Sequence, residues 1–230
     1  MKKQTFQIAL TPKELNEMAG RYHFDGEALP QIEALYRTVL PLLRTEAVYR
    51  LLQNGKLASL HMPFTDVCAC AVTLGAGIDR LQELYSEVGA VWENYILECI
   101  GNTLLEKAYE KLGALIWQET GLYLNEYRFP GSEMPIETVK EILQELSEGK
   151  ASSIVYNEVY TLQPKKSVVF LGILGERKGE CSVCNGCGRM ECEYRKRSVH
   201  KKDEETFRKS ENYSYGYQRI FGVVEKGEEK

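Results

Sequence analysis

The sequence predicts an α+β fold in which long helices pack on a sheet, and two observations carry this prediction. A stretch from Asp66 to Gly75 is almost entirely small and apolar, which is typical of a strand that is buried on both faces. After it, apolar side chains recur every three or four residues over 78–86 and again over 91–118. This spacing indicates two helices, of which the second is unusually long.

The elements before the buried strand follow from alternation and from helical spacing. Residues Thr5–Leu10 alternate and predict a first strand, and Thr11 and Pro12 then suit the cap and first position of a short helix. Apolar residues at helical spacing predict a helical region from Leu29 to Leu52. Pro41 must kink or split that region, because proline removes a backbone donor and crowds the preceding turn.

Between residues 126 and 174 the sequence predicts a turn, a helix and two strand segments. Residues 126–132 contain a Pro-Gly turn, and an amphipathic helix follows over 135–148. The segments Ser153–Leu162 and Val168–Leu174 are apolar and strand-like, and they meet at Pro164. Two lysines directly after that proline could meet a phosphate or an acidic partner surface, or could have no role beyond solvation.

Arg128 lies on the irregular turn and is the first candidate for binding. A guanidinium beside exposed backbone N–H and C=O groups can hold the carboxylate of a ligand. An arginine in this position can equally form an ordinary ion pair with a surface glutamate, in which case Gly131 only turns the chain. The residues by themselves leave both interpretations open.

A joint pattern in this part of the chain resembles a known family. The residues that carry the resemblance are Arg128, Pro130 and Gly131, the helix after them, and the pattern Leu162-x-Pro164-x-x-Ser167. Together they resemble the activation domain of cobalamin-dependent methionine synthase, and most of all its free-standing versions. The resemblance covers about residues 29–175, and it implies a twisted antiparallel sheet with long helices packed on it.

The resemblance also implies a binding site for S-adenosylmethionine. An amino-acid head group needs a cation for its carboxylate and an anion for its ammonium group. Arg128 and the backbone near Gly131 would hold the carboxylate, and Glu106 of the long helix would meet the α-amino group. Glu126 and Glu158, near the turn and the second strand segment, are lesser candidates and could instead only pair with basic neighbours. The expected ligand-binding residues are Glu106, Arg128, Pro130, Gly131, Ser132 and Glu158.

Composition and charge exclude several functional classes of protein. The 230 residues carry a net charge of −4 and 27% charged residues, so no overall field recruits nucleic acid or an anionic membrane. No apolar run is long enough for a membrane span, and the N-terminus lacks a signal-peptide core, so we expect a cytoplasmic protein. The three histidines are scattered without a catalytic set around them.

The composition changes after Gly175, and four cysteines follow closely. Cys181, Cys184, Cys187 and Cys192 could wrap four thiolates around one centre, which suits tetrahedral zinc or an iron–sulfur cluster. Seven cysteines in a cytoplasmic chain argue against a disulfide framework. We therefore expect an activation-like domain over 1–175 and a metal-binding knuckle and tail over 176–230.

A second pair of thiols, Cys68 and Cys70, lies two residues apart on the predicted buried strand. They would point to the same face of the sheet. Such a pair could hold a metal, but small buried thiols more often fill a core.

Two functions are consistent with these features. By resemblance, the chain is an accessory domain that binds S-adenosylmethionine and helps to remethylate cobalamin, which is carried by a partner module, while an electron donor supplies the reduction. It would not be catalytic alone. The alternative is a metal-bearing interaction or electron-transfer protein on the same scaffold. The alternative is favoured by the cysteine knuckle and by the turn, which has one residue fewer than the family's and Ser132 in place of an aromatic residue.

Overall fold

The computed structural model describes residues 1–53, 56–57, 60, 66–132, 134–147 and 153–178. They form a five-stranded antiparallel sheet with helices packed on it, together with a separate two-stranded hairpin. The predicted α+β class and the antiparallel sheet are confirmed. None of the described helices has the length and hydropathy needed to cross a bilayer.

The elements have the following bounds. The helices are α1 Pro12–Arg21, α2 Leu29–Val39, α3 Gly77–Glu87, α4 Val91–Thr120 and α5 Thr138–Ser147. The sheet strands are β1 Lys2–Thr5, β2 Glu46–Leu52, β3 Val67–Thr73, β4 Tyr123–Arg128 and β7 Ser167–Gly175. The hairpin strands are β5 Val155–Tyr156 and β6 Leu162–Gln163.

The sheet order is β1-β2-β3-β7-β4, so β3 is central and β4 is an edge strand. All seven residues of β3 are buried, which confirms the prediction for the small apolar stretch. Cys70 lies opposite Tyr49 on one side and opposite Phe170 on the other. Since both faces of β3 are covered, its residues are nearly all apolar, and the one polar hydroxyl, that of Thr73, accepts a hydrogen bond from Ser167 Oγ at 2.7 Å.

The two faces of the sheet belong to two separate hydrophobic cores. On one face, Cys68, Cys70 and Phe170 pack with residues of α2 and α4. On the other face, Ala69 and Leu171 pack with residues of α5. Neighbouring residues of a strand therefore contribute alternately to the α4 core and to the α5 core.

An aromatic group lies at the centre of the α4 core. Phe170 is fully buried and contacts the rings of Tyr109, Tyr127 and Phe129 at centroid distances of 6.0, 5.2 and 5.9 Å. Edge-to-face and tilted contacts of this kind add to the stabilisation that burial supplies. The group joins α4 to β4 and β7.

The predicted helix from Leu29 to Leu52 is wrong in its second half. Helix α2 ends at Val39, Pro41 lies in a 3-10 turn, and residues from Glu46 onward form strand β2. Ala47 and Tyr49 are buried in the α4 core, so this segment gains more from pairing with β1 and β3 than from continuing a helix. The predicted first strand is also displaced, since β1 ends at Thr5.

Helix α1 begins as the sequence predicts and is fastened to α4 by a charged pair. Thr11 and Glu14 form a capping box around Pro12. The Glu14 carboxylate also accepts hydrogen bonds from Lys107 Nζ at 2.6 Å. The Lys107 ammonium and then the backbone N–H of Thr11 lower the pKa of Glu14 to about 2.

We expect the contact between Glu14 and Lys107 to make the stability of the fold depend on pH. A carboxylate with a lowered folded-state pKa stabilises the fold fully above its unfolded-state pKa, near 4.5, and progressively less as the pH falls toward about 2. Thermal unfolding of wild type and Glu14→Gln, followed by circular dichroism, should therefore show a difference in Tm at pH 7 that shrinks across this window.

The matched control is Glu17→Gln, since Glu17 lies about one turn further along α1 and pairs with the exposed Lys13 at 3.7 Å. Its Tm should stay close to that of wild type at every pH. A Tm difference for Glu14→Gln that is constant between pH 7 and pH 2 would show that the charge on Glu14 does not stabilise the fold.

Candidate functional site

Arg128 is the last residue of the edge strand β4, and its side chain lies on the α5 face of the sheet. It is opposite Leu171, which belongs to the α5 core. Its neighbour Tyr127 points the other way, into the α4 core against Tyr109. Helix α5 packs across β2, β3 and β7, so it leaves this face of β4 partly open.

A bulge in β4 decides which side chains reach that open face. Leu124 pairs with Leu174 and Glu126 pairs with Ile173, so Asn125 is an extra residue in the ladder. Without the bulge, Leu124 and Glu126 would lie on the same face. With it, Leu124 enters the α4 core, while Glu126 and Arg128 both project from the α5 face.

Arg128 and Glu126 form an ion pair with a distance of 2.5 Å between Nη2 and Oε1, and about 30% of each side chain is exposed. Arg128 Nε is buried and has no hydrogen-bond partner among the described residues. Half-exposed pairs of this kind contribute little to stability on their own. The pair is therefore available for exchange with a ligand that carries both charges.

The turn after Arg128 is held mainly by its own backbone. The Gly131 N–H donates to Met134 O at 2.8 Å, and the Ser132 N–H donates to Phe129 O at 3.1 Å. Gly131 has φ +86°, which glycine adopts without strain. Pro130 has no N–H to offer, so in this conformation these backbone groups present no unused donor to a ligand.

Glu106 lies elsewhere. It is on α4, on the opposite side of the sheet from Arg128, and its Oε2 accepts a hydrogen bond from Arg21 Nη1 of α1 at 2.6 Å. Only 16% of its side chain is exposed. Glu126 is the acid that pairs with Arg128, while Glu106 is on the helix that packs against the other face of the sheet.

Glu158 occupies the exposed turn of the β5–β6 hairpin, which Asn157 stabilises by accepting from the backbone N–H groups of Val159 and Thr161. The hairpin packs against the α5 core through Tyr160 and Leu162. Glu158 is thus carried on the same side of the sheet as Arg128.

The two lysines after Pro164 have different environments. Lys166 is 4% exposed, and its ammonium donates to Glu98 Oε1 at 2.5 Å and to Asn102 Oδ1 at 2.8 Å. Its stem crosses Gly101, where an added Cβ would lie 2.7 Å from Lys166 Cε. Burial is the largest single influence on the Glu98 carboxyl and opposes its ionisation. The Lys166 ammonium, together with hydrogen bonds from Gln82 and Asn102, outweighs burial, so the pKa of Glu98 is lowered. Lys166 is thus a buried structural residue, and only Lys165 is exposed.

The described residues contain no group of three or more His, Cys, Asp or Glu side chains that could hold a metal. Cys68 and Cys70 are fully buried with 3.3 Å between their sulfurs, and burial raises the pKa of the Cys70 thiol. They therefore fill the α4 core. The predicted knuckle of Cys181, Cys184, Cys187 and Cys192 lies outside the described residues.

Among the surface hollows formed by the described residues, one of about 760 Å³ lies near the end of α4 and includes Lys2, Tyr49 and Glu119 in its lining. Another, of about 450 Å³, lies between α3 and α4. Neither of these two hollows is lined by Arg128 or Glu106.

No protein-family model matches the chain, and no curated protein matches its sequence. Solved structures do match its fold, among them the crystal structure of the MetH reactivation domain bound to AdoHcy. The TM-score is 0.54, and the match covers 75% of this chain and 77% of that domain. Sequence identity is 13%, so the likeness is one of fold. It agrees with the fold that the residue pattern led us to expect.

The contrast between the two lysines yields a prediction about stability. Lys166→Met should lower the free energy of unfolding by about 1–3 kcal/mol, because Glu98 and Asn102 lose their buried partner. Lys165→Met should change it by no more than about 0.5 kcal/mol, since that side chain is exposed. Urea unfolding monitored by fluorescence measures both, and equal effects of the two substitutions would contradict the assigned roles.

Proposed function

We propose that the chain is an accessory domain that binds S-adenosylmethionine for the reductive remethylation of a cobalamin cofactor. The cofactor would be carried by the cobalamin-binding module of methionine synthase or of a related corrinoid methyltransferase. The observation that carries the proposal is the likeness of fold, over three quarters of both chains, to a reactivation domain bound to AdoHcy. AdoHcy is what remains of S-adenosylmethionine when its methyl group has been transferred.

The charges on the α5 face of β4 fit the head group of this ligand. The Arg128 guanidinium can pair with the ligand's carboxylate, and the Glu126 carboxylate can pair with its ammonium group. These two side chains pair with each other in the structure. A zwitterionic head group could replace that single contact with two, and the unpartnered Nε of Arg128 offers one further donor.

The other expected ligand-binding residues are supported by the structure to different degrees. Ser132 is exposed at the end of the turn, and Glu158 lies on the same side of the sheet. Glu106 is a candidate by resemblance alone, and its ion pair with Arg21 supports a role in fastening α1 to α4. Pro130 and Gly131 would shape the turn and so position Arg128.

The chain's own contribution would be binding and orientation. When bound, S-adenosylmethionine supplies a methyl group on an electrophilic sulfonium, and the corrinoid and electron donor belong to the partners. Holding the ligand in a fixed direction lowers the entropic cost of the transfer. This role requires no general base or nucleophile, so the domain would have no activity alone.

Isothermal titration with S-adenosylmethionine tests this site. We expect binding by wild type and at least about a tenfold weaker Kd for Arg128→Ala, since a charged hydrogen-bonded pair contributes about 1.5–3 kcal/mol. Glu126→Gln should weaken binding in the same direction. Glu106→Gln separates the two acids, because it should leave the Kd unchanged if Glu126 meets the ammonium group.

The control is Arg37→Ala, which removes an exposed arginine of α2 that pairs with Glu33. Its Kd should equal that of wild type. Absence of binding by wild type would reject the proposed function, and a loss of affinity confined to Glu106→Gln would move the site to the α4 side of the sheet.

A second candidate function is a metal-bearing interaction or electron-transfer protein on the same scaffold that does not bind S-adenosylmethionine. A specific observation favours it, namely that Arg128 and Glu106 lie on opposite sides of the sheet. The backbone N–H groups of Gly131 and Ser132 are also already used within the turn. The chemistry would then lie in the cysteine knuckle.

Anaerobic purification followed by absorption spectroscopy and elemental analysis tests this alternative. An iron–sulfur cluster should give broad visible absorption that is lost in Cys184→Ser, whereas zinc should give bound metal without colour. Cys99→Ala is the control, because Cys99 is buried in the α4 core. The metal site would be contradicted if wild type contained no bound metal and its absorption spectrum and metal content equalled those of the Cys184→Ser variant.

A further inference from the structure

An exposed apolar surface lies where α3 and α4 meet. Val88 and Val91 are each 77% exposed, Trp92 is 49% exposed and Tyr95 is 44% exposed. The ring of Phe24 packs against the two aromatic residues, with centroid distances of 5.5 Å to Trp92 and 5.4 Å to Tyr95. We call Val88, Val91, Trp92 and Tyr95 the hairpin tip. A clustered apolar surface of this kind is typical of a binding site.

The hairpin tip continues directly into the hollow between α3 and α4. On α4, Val91, Asn94, Tyr95 and Glu98 are spaced i, i+3, i+4 and i+7 and therefore share one face. Asn94 lines the hollow of about 450 Å³, together with Gln82, Glu83, Ser86, Glu87 and Lys165. Apolar and polar recognition elements thus lie side by side.

Two residues that line the hollow have buried side-chain oxygens. Gln82 Oε1 and Asn94 Oδ1 have no hydrogen-bond partner among the described residues. Their amide nitrogens are already used, since Gln82 Nε2 donates to Glu98 Oε2 at 3.2 Å and Asn94 Nδ2 donates to Ser86 Oγ at 2.8 Å. The two amide side chains are thus held in the wall of the hollow, and its exposed polar side chains include Glu83, Glu87 and Lys165.

Acidic side chains predominate around this surface. From Leu81 to Glu106 the sequence has five glutamates and no lysine or arginine, and two of the five are already paired, Glu98 with Lys166 and Glu106 with Arg21. In the hollow, Glu83 and Glu87 outnumber the single ammonium of Lys165. The surface therefore attracts cationic side chains, and it would repel a second copy of itself or an anionic membrane.

We propose that the hairpin tip and the adjoining hollow form a docking surface for a partner protein segment in which lysine or arginine adjoins apolar residues. The cationic side chain enters the hollow, where the exposed carboxylates of Glu83 and Glu87 balance its charge. The apolar residues cover Val91 and Tyr95. This surface is separate from the α5 face of β4 and does not depend on S-adenosylmethionine binding.

The test is selection of binding peptides from a random library displayed on phage, with the full chain as target and the double variant Glu87→Lys/Val91→Ser as counter-target. The selected peptides should share a lysine or arginine beside aliphatic or aromatic residues. Titrated singly, they should bind Glu87→Lys and Val91→Ser at least about tenfold more weakly than wild type, and added salt should weaken binding.

Glu17→Lys is the matched control, since it reverses an exposed acid on α1 outside the surface, and its affinity should equal that of wild type. Glu87 and Val91 are both exposed, so the variants should fold, and an unchanged circular dichroism spectrum checks this. The proposal is overturned if no peptide discriminates the double variant, if the selected peptides lack a cation, or if Glu17→Lys weakens binding equally. Self-association of the full chain in sedimentation velocity that Val91→Ser abolishes would assign the surface to a second copy and also overturn it.

Discussion

Burial of both faces of β3 and β7 between two helical layers is the constraint on which the rest of this structure depends. Every residue of β3 is buried, and Phe170 of β7 is enclosed by aromatic rings from α4, β4 and the segment after it. With both central strands covered, the polar side chains that could bind anything are confined to edges and helix surfaces. Arg128 and Glu126 reach the surface because β4 is an edge strand and α5 does not extend across it.

Helix α4 has two polar regions, and neither is simply solvated. Lys107 and Glu106 join it to α1 through Glu14 and Arg21. Further toward its N-terminus, Glu98 and Asn102 take the buried ammonium of Lys166 from the start of β7. Charged residues at helical spacing thus fasten neighbouring elements. The hairpin tip differs from these regions in being apolar and exposed.

Much of the fold could be predicted from local patterns, because those patterns report burial directly. The small apolar run at β3, the capping residues Thr11 and Pro12, and the spacing in α4 each indicate their element without knowledge of a neighbour. The segment after Pro41 could not be assigned in this way. Its apolar residues fit both a helix and a strand, and only pairing with β1 and β3 decides between them.

Residue type and spacing over a few turns were enough to predict the class of the fold, the long helix, the buried strand and an arginine next to a Pro-Gly turn. The acid that pairs with this arginine is set instead by tertiary contacts. One extra residue at Asn125 changes the face on which Glu126 and Arg128 emerge, and the docking of α1 commits Glu106 to Arg21. Both outcomes depend on contacts between residues far apart in the chain, which spacing along the sequence does not encode.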